Sequence, residues 1–161
     1  MSANTKILPF LWYTNDAEEA ARFYASIFPD SRVDQVTAMQ SESPSGPPGT
    51  VKVVHFTLFG QPFQAMSAGP HHPFNDAISL MVMCEDQAEL DRYWDALLEG
   101  GGETMACGWL TDRYGVRWQV IPRALEALLH DPDPARSKRA SDAMMQMVKI
   151  DVAALEAAAR G

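Results

Sequence analysis

The chain reads ILPFLWYTNDAEEAARFY from residue 7 to residue 24. Its first seven residues are aliphatic and aromatic types that favour strands. Thr14, Asn15 and Asp16 then provide a turn and a helix N-cap signal. Apolar residues recur at helical spacing from Ala17 onwards, until Pro29 ends the pattern. The stretch therefore predicts a strand that leads directly into a helix.

Three further strands are predicted in the first half of the chain. They cover residues 32–39, 51–59 and 62–67. Gly60 and Gln61 are expected to form a tight hairpin between the last two strands. The polar loop 41–49 is rich in Ser, Pro and Gly and is not expected to pack a core. The first half thus predicts the order β-α-β-β-β.

The second half again begins with a strand and a helix, and further strands follow. A strand is predicted over residues 77–83, followed by a helix that Asp86 caps and three glycines at 100–102 end. Strands over 103–110 and 116–121 follow, with a turn at 112–115. After Pro122 the pattern becomes helical, and Asp131-Pro132 is expected to begin one helix and Asp151 another.

The two halves resemble each other when residues 70 apart are compared. Asp16, Glu19 and the aromatic run at 22–24 then match Asp86, Glu89 and the run at 92–94. Near the end of each half a second match appears at a shorter offset, between Gly60 to Gln64 and Gly115 to Gln119, as a Gly, two residues, an aromatic and a Gln. Both matches in one order indicate a duplicated βαβββ unit.

The predicted fold class is α+β, with two tandem βαβββ modules forming a curved mixed sheet around a cleft, plus C-terminal helices. Module one covers about residues 6–69 and module two about 76–122 of a domain spanning 1–122. Residues 123–161 form a helical extension packed on the domain or across a dimer, with a stripe of apolar side chains. The members of that stripe are Ala140, Met144, Met147 and Val148.

Strand alternation predicts which side chains line the cleft. The side chains expected to face the helices are Trp12, Ile78, Leu80, Val82, Val116, Trp118 and Val120. Those expected to face the cleft are Tyr13, Ala77, Ser79, Met81, Trp109, Arg117, Gln119 and Ile121.

Composition and charge narrow the class of protein. The chain has 161 residues, of which 47% are hydrophobic, and a net charge of −8. The negative charge argues against nucleic acid as the main partner. No apolar run is long enough to cross a bilayer, and no signal-peptide pattern is present, so a cytoplasmic location without membrane association is expected. Cys84 and Cys107 lie in no CxxC pattern and are expected to be free thiols.

Several local strings resemble one known superfamily. They are Phe10 to Tyr13, Ala21 to Tyr24, Phe28 to Ser31, Phe74 to Ser79, Cys107 to Gly115, Trp118 to Pro122, and Ala143 to Met147. These strings resemble the vicinal-oxygen-chelate superfamily of glyoxalases, bleomycin-resistance proteins and dioxygenases. The closer similarity is to its PhnB-like branch, often labelled 3-demethylubiquinone-9 3-methyltransferase-like.

The resemblance implies a homodimer of paired modules with a metal in the cleft, held by His or Glu. The corresponding positions here are Pro9, Gln64, Ser79 and Gln119. None of these residues is a good ligand for a divalent cation. No metal and no other cofactor is therefore expected. A glycine-rich strand–turn–helix is also missing, so the sequence does not support the methyltransferase label.

The expected ligand-binding residues are Tyr13, Gln64, Ser79, Trp109 and Gln119. The two glutamines can orient a polar ligand, or they can bond each other or the backbone and stabilise the module junction. Among catalytic candidates, His55 is either a general base or a hydrogen-bonded strand residue. Cys107 is either a nucleophile or an inert buried thiol.

Four further side chains are weaker candidates for contact with a ligand. Arg113 and Arg117 can attract an anion or be solvated. His71 and His72, between prolines, are predicted to be loop residues able to bind metal adventitiously.

Three functions remain open. The first is a metal-free protein that binds or sequesters a small, partly aromatic ligand. The second is an enzyme, a lyase, isomerase, transferase or dioxygenase-like protein, with a displaced metal site that uses His55, Asp76 or Glu103. The third is a purely structural dimer, whose cleft would be filled with side chains.

Overall fold

A four-stranded mixed sheet with a helix on one face is built twice along this chain. The computed structural model describes residues 5–161, and the chain divides into two units, Met1–Pro73 and Phe74–Gly161. No helix among residues 5–161 is long and apolar enough to cross a membrane. The predicted α+β class and duplicated βαβββ unit are confirmed.

Unit one, as far as it is described, contains five elements. They are β1 Phe10–Tyr13, α1 Ala17–Ile27, β2 Arg32–Ala38, β3 Lys52–Leu58 and β4 Gln61–Ser67. The strand order is β1-β4-β3-β2, with β1 parallel to β4 and the other pairs antiparallel. The helix α1 packs its alanines and Tyr24 on one face of this sheet, where Val54, Phe56 and Ala65 are also buried.

Unit two repeats this order and adds three helices. Its elements are β5 Leu80–Cys84, α2 Gln87–Leu98, β6 Glu103–Thr104, β7 Trp109–Thr111, β8 Arg117–Pro122, α3 Arg123–Leu129, α4 Pro134–Met144 and α5 Val152–Arg160. The strand order β5-β8-β7-β6 matches that of unit one. Val116, Trp118 and Val120 are buried, as expected for the face beneath a helix.

The first helices of the two units begin differently. The Asp86 side chain accepts a hydrogen bond from the Glu89 N–H at 2.9 Å, which confirms the predicted cap of α2. Asp16 makes no such bond at the start of α1. The hydroxyl of Ser67, at the end of β4, accepts the Ala17 N–H at 3.0 Å instead.

The prediction of one strand over residues 103–110 is wrong. The segment is a hairpin, in which β6 pairs antiparallel with β7 around a turn at 105–108. The turn forms because Cys107 and Gly108 adopt left-handed backbone, with φ of +60° and +81°. The β5 prediction is also too long at its start, since Ile78 precedes the strand and is 69% exposed.

The C-terminal segment packs against unit two. The N–H groups of Cys107 and Gly108 donate to the carbonyls of Met147 and Val148, each at 2.8 Å. The Gln87 side chain donates to the Ile150 carbonyl at 3.1 Å and accepts from the Val152 N–H at 2.8 Å. These contacts bring Ile150 into the core, where it is fully buried.

Two predictions about this segment are corrected. Met147 and Val148 lie beyond the end of α4, so they do not share a helical stripe with Ala140 and Met144. The helix α4 begins at Pro134 and is capped by Asp133, whose side chain accepts the Ala135 N–H at 2.9 Å. Asp131 instead accepts a hydrogen bond from the Asp133 N–H. The predicted cap of α5 by Asp151 is confirmed.

Candidate functional site

The face of each sheet opposite its helix carries a row of side chains across neighbouring strands. In unit one, the register places Phe10, Gln64, His55 and Gln35 side by side on β1, β4, β3 and β2. Their neighbours along the strands, such as Leu11, Val54 and Ala65, are buried on the helix side. We call this set the first open row.

Unit two has an equivalent row. Met81, Gln119 and Trp109 lie side by side on β5, β8 and β7. Gln119 therefore occupies the position in unit two that Gln64 occupies in unit one. Met81 is 47% exposed and Phe10 is 50% exposed, so both amides are flanked by an accessible apolar side chain. We call this set the second open row.

The two central amides have different partners. The Gln119 amide donates from Nε2 to the Ser79 hydroxyl at 2.8 Å, which fixes its orientation. The Gln64 side chain has no hydrogen-bond partner among residues 5–161, although its backbone N–H donates to the Pro9 carbonyl at 3.0 Å. Gln64 is thus available to a ligand, whereas Gln119 and Ser79 offer a paired amide and hydroxyl.

These residues do not fit the metal that the superfamily implies. The Pro9 side chain has no donor atom, and the residues beside the two amides on β1 and β5 are Phe10 and Met81. Two neutral amides and a hydroxyl hold a divalent cation poorly. Across residues 5–161, no group of three or more His, Cys, Asp or Glu side chains could hold a metal ion.

Two neighbouring aromatic residues of β1 are placed opposite to the prediction. Tyr13 is 2% exposed, and its hydroxyl contacts the Tyr24 hydroxyl of α1 at 3.2 Å, so it belongs to the core. Trp12 lies on the other face beside Met66, and its indole N–H donates to the Gly69 carbonyl at 2.9 Å. Every residue in this strand is apolar, so alternation alone does not identify the buried face.

Arg117 and Ile121, both expected to face the cleft, lie on the Gln119 face of β8 but are engaged in contacts within unit two. The Arg117 guanidinium forms an ion pair with Asp76 at 2.7 Å and donates to the Gly115 carbonyl at 2.8 Å. Its charge is therefore balanced within the unit. Ile121 is 5% exposed, because the segment around Gly108 and Ile150 covers it.

Trp109 and His55 take positions that leave them accessible. Trp109 is half-buried beside Gln119, whereas Trp118 is buried and donates its indole N–H to Asp112 at 2.8 Å. His55 is half-buried and lies directly beside Gln64. Contact of Trp109 or His55 with a ligand remains a prediction.

The two cysteines are free, as expected. Burial, with a smaller contribution from the Glu89 carboxylate, raises the pKa of the Cys84 thiol to about 12. The Cys107 sulfur lies 3.8 Å from the Met145 sulfur. A thioether is neither a base nor a charged group, so this neighbour does not activate the thiol, which is half-buried and not buried as one interpretation expected.

Unit one also contains a cavity that the sequence did not indicate. Its volume is about 440 Å³. The lining residues are Trp12, Met39, Ser43, Pro44, Ser45, Val51, Met66, Ala68, His71 and His72. We call it the Trp12 cavity. The loop 41–49, predicted only as polar, supplies one wall, and Met39 and Val51 at its two ends were the one signal that the loop folds back onto apolar surface.

Comparisons with known proteins give a consistent family. A family model described as 3-demethylubiquinone-9 3-methyltransferase matches residues 5–121. The PhnB protein of Bacillus cereus, which carries that same name, has a structure 35% identical in sequence, with a TM-score of 0.63, covering 73% of this chain and 99% of that one. No curated protein matches the chain.

Two more distant structures share the fold. A protein of Pseudomonas aeruginosa is 23% identical, with a TM-score of 0.56, over 74% of this chain and 98% of that one. The fosfomycin resistance protein FosX of Listeria monocytogenes, solved with Mn(II) and sulfate, is 15% identical, with a TM-score of 0.53, over 72% of this chain and 89% of that one.

Proposed function

The chain belongs to the 3-demethylubiquinone-9 3-methyltransferase family of the vicinal-oxygen-chelate superfamily, and from this premise we propose that it is a metal-free small-molecule-binding protein. The observation that carries the proposal is the neutral amide at the centre of each open row, Gln64 in one unit and Gln119 in the other. The ligand is small and partly aromatic, and it binds on the open faces.

The chemistry of the rows supports binding of such a ligand. An amide both donates and accepts hydrogen bonds, so Gln64 and the Gln119–Ser79 pair can orient a polar group of either kind. Phe10, Met81 and Trp109 supply apolar surface beside the amides. Apolar walls with a few placed polar groups are the usual composition of small-molecule sites.

The family name suggests methyl transfer, but the residues do not form the usual site for a nucleotide-type methyl donor. A nucleotide-type methyl donor is commonly held where a strand passes through a glycine-rich turn into a helix. The three glycines at 100–102 follow α2 instead, and the turn that precedes α2 is formed by Glu85 and Asp86. The methyl-transfer activity in the name is therefore not part of the proposal.

A second candidate function is an enzyme of the lyase or isomerase type, and the position of His55 favours it. The imidazole lies beside Gln64 on the first open row, where it can accept a proton from a ligand that the amide orients. Turnover of a bound compound that is lost in His55→Gln, with binding retained, would put this candidate first.

The proposal is tested first by metal content. Untagged protein is measured by mass spectrometry after chelation and again after incubation with zinc, nickel, manganese or iron. We expect far less than one metal ion per chain in every case, because the amides are weak ligands. One tightly held ion per chain would contradict the proposal and favour a metal-dependent lyase or dioxygenase.

Ligand binding is tested second. A library of small aromatic compounds is screened against the protein by ligand-observed NMR. Gln64→Met and Gln119→Met keep the side-chain length and remove the amide. We expect each to weaken binding of a hit about tenfold, the usual effect of losing one or two hydrogen bonds. Gln146→Met, at an exposed site outside both rows, is the matched control. Unchanged affinity in both row variants would refute the proposal.

A further inference from the structure

The Trp12 cavity is bounded by three parts of unit one. Trp12 comes from β1, Met66 and Ala68 come from the end of β4 and the residue after it, and Val51 precedes β3. The loop 41–49 forms a second wall, which is fixed because the Ser45 hydroxyl donates to the Ala68 carbonyl at 2.7 Å. His71 and His72 form the third. A volume of about 440 Å³ is within the range of pockets that hold small ligands.

The aromatic surface of the cavity is held in place before any ligand arrives. The Trp12 indole N–H donates to the Gly69 carbonyl at 2.9 Å. The rings of His71 and His72 meet the indole edge to face, with centroids 6.3 and 4.8 Å away. A large fixed aromatic side chain favours a flat, apolar ligand, because little side-chain entropy is lost on binding.

The charged and titratable residues that line the cavity indicate which sign of charge the ligand carries. The lining contains neither acidic residues nor Lys or Arg, although the chain has a net charge of −8. Its titratable groups are His71 and His72, which are exposed and have no hydrogen-bond partner among residues 5–161. Each imidazole can donate an N–H to an anion, whereas a cationic group would find no carboxylate in the lining.

We propose that the Trp12 cavity binds a small planar aromatic carboxylate, whose ring packs on Trp12 and whose carboxylate accepts hydrogen bonds from His71 and His72. The inference rests on the proposed function, since it names a class of ligand and the cavity that takes it. Trp12 and Met66 lie two residues beyond Phe10 and Gln64 on the same strands. The cavity therefore adjoins the first open row.

The test follows the indole N–H signals of the four tryptophans by ¹H–¹⁵N NMR. The Trp12 signal is assigned with Trp12→Phe. The probes are 2-naphthoate and its neutral partner 2-naphthylmethanol. We expect 2-naphthoate to shift the Trp12 signal saturably and to leave the signal of buried Trp118 in place.

The imidazoles are tested with the double variant His71→Gln, His72→Gln, whose exposed positions leave the packing of the core unchanged. We expect it to weaken 2-naphthoate about tenfold and 2-naphthylmethanol much less, since only the acid accepts charge-assisted hydrogen bonds. His130→Gln, an exposed histidine of unit two, is the matched control.

The remaining outcomes show whether this inference fails, and they do so independently of the proposed function. If 2-naphthoate shifts Trp109 and not Trp12, and the histidine variant binds it normally, the cavity assignment fails while binding on the open rows stands. No shift of any indole signal overturns the carboxylate class, and the library screen with the glutamine variants still decides the proposed function. A Trp12 signal that moves with protein concentration and does not respond to 2-naphthoate would assign the cavity to a second copy of the chain and overturn the proposal.

Discussion

One buried carboxylate organises the turn before the last strand of unit two. Asp112 is 3% exposed and accepts hydrogen bonds from the Tyr114 N–H, the Val116 N–H and the Trp118 indole N–H, at 2.8, 3.1 and 2.8 Å. The same turn sets the start of β8 and thereby the position of Gln119. Asp112 thus positions the second open row without facing it.

Replacing this carboxylate is expected to be costly. Asp112→Ala leaves three donors without their acceptor in a buried place, so we expect a loss of roughly 2–4 kcal/mol in the free energy of unfolding. Urea denaturation followed by circular dichroism measures it. Asp142→Ala, at an exposed site on α4, should change stability by less than about 0.5 kcal/mol. If Asp112→Ala lowered the free energy of unfolding as little as Asp142→Ala does, the Asp112 hydrogen bonds would contribute no stability.

The sequence predicted individual residues well where turn chemistry or polarity marked them. Gln119 follows the Gly115 turn at a fixed distance, and the structure puts it at the centre of its row. The predicted orientations of Trp12 and Tyr13 were the reverse of the observed ones. In a strand whose side chains are all apolar, no alternation of polar and apolar residues marks the buried face. The environments of the two residues depend on contacts with Tyr24 in the next helix and with Gly69, 57 residues beyond Trp12, which strand alternation does not reveal.

At the scale of elements, the hairpin of β6 and β7 joins the C-terminal segment to unit two. Gly108 has φ of +81°, and a Cβ atom there would lie 3.0 Å from side-chain atoms of Ile121 and Ile150. The glycine is required twice, once for the backbone and once for the close packing of the segment that follows α4.

A pair of alanine variants separates these two requirements. Gly108→Ala is expected to destabilise the protein by roughly 2–4 kcal/mol, because strain at positive φ adds to overpacking. Gly49→Ala is the matched control, since its φ is +87° and a Cβ atom there would meet nothing within 4 Å. It should cost about 1 kcal/mol. Thermal unfolding checks both, and similar shifts in Tm would contradict the packing argument.

The sequence predicted whole helices and strands correctly where a capping residue or turn and the internal repeat indicated the same element, as for α2 and β8. The β6–β7 hairpin was missed although Gly108 lies in its turn, because Cys107, the other left-handed residue, gives no sign of that backbone conformation. The Trp12 cavity was missed for another reason. Its wall is a polar loop held by a hydrogen bond to Ala68, and composition does not reveal such a tertiary contact.

At the scale of the molecule, the duplication accounts for the architecture of both units, and offset matches in the sequence were enough to find it. β1 and β5 each lie at one edge of their sheet in the strand order. Apolar side chains at and before these strands are exposed, with Ile7 at 87% and Ile78 at 69%. Exposed apolar edges favour pairing with another chain.

From these edges we predict a homodimer. Sedimentation equilibrium should give about twice the chain mass of 17.8 kDa. The double variant Ile7→Glu, Ile78→Glu should shift the population towards the monomer, because it places charges in a desolvated contact. Val36→Glu, on β2 at the opposite edge of its sheet, is the control. A wild-type chain that sediments as a monomer would disprove the prediction.

The cap that Ser67 gives to α1 has a consequence for the order of folding. The helix α2 carries its cap beside it in Asp86, so its first turn can form from local sequence alone. The first turn of α1 relies on a hydroxyl 50 residues further along the chain. Closing so long a loop is entropically costly, and the contact is made only when β4 has docked beside β1. The two copies of the repeat share one final architecture, but we expect the helix in the first copy to be completed late in folding and the helix in the second to nucleate early.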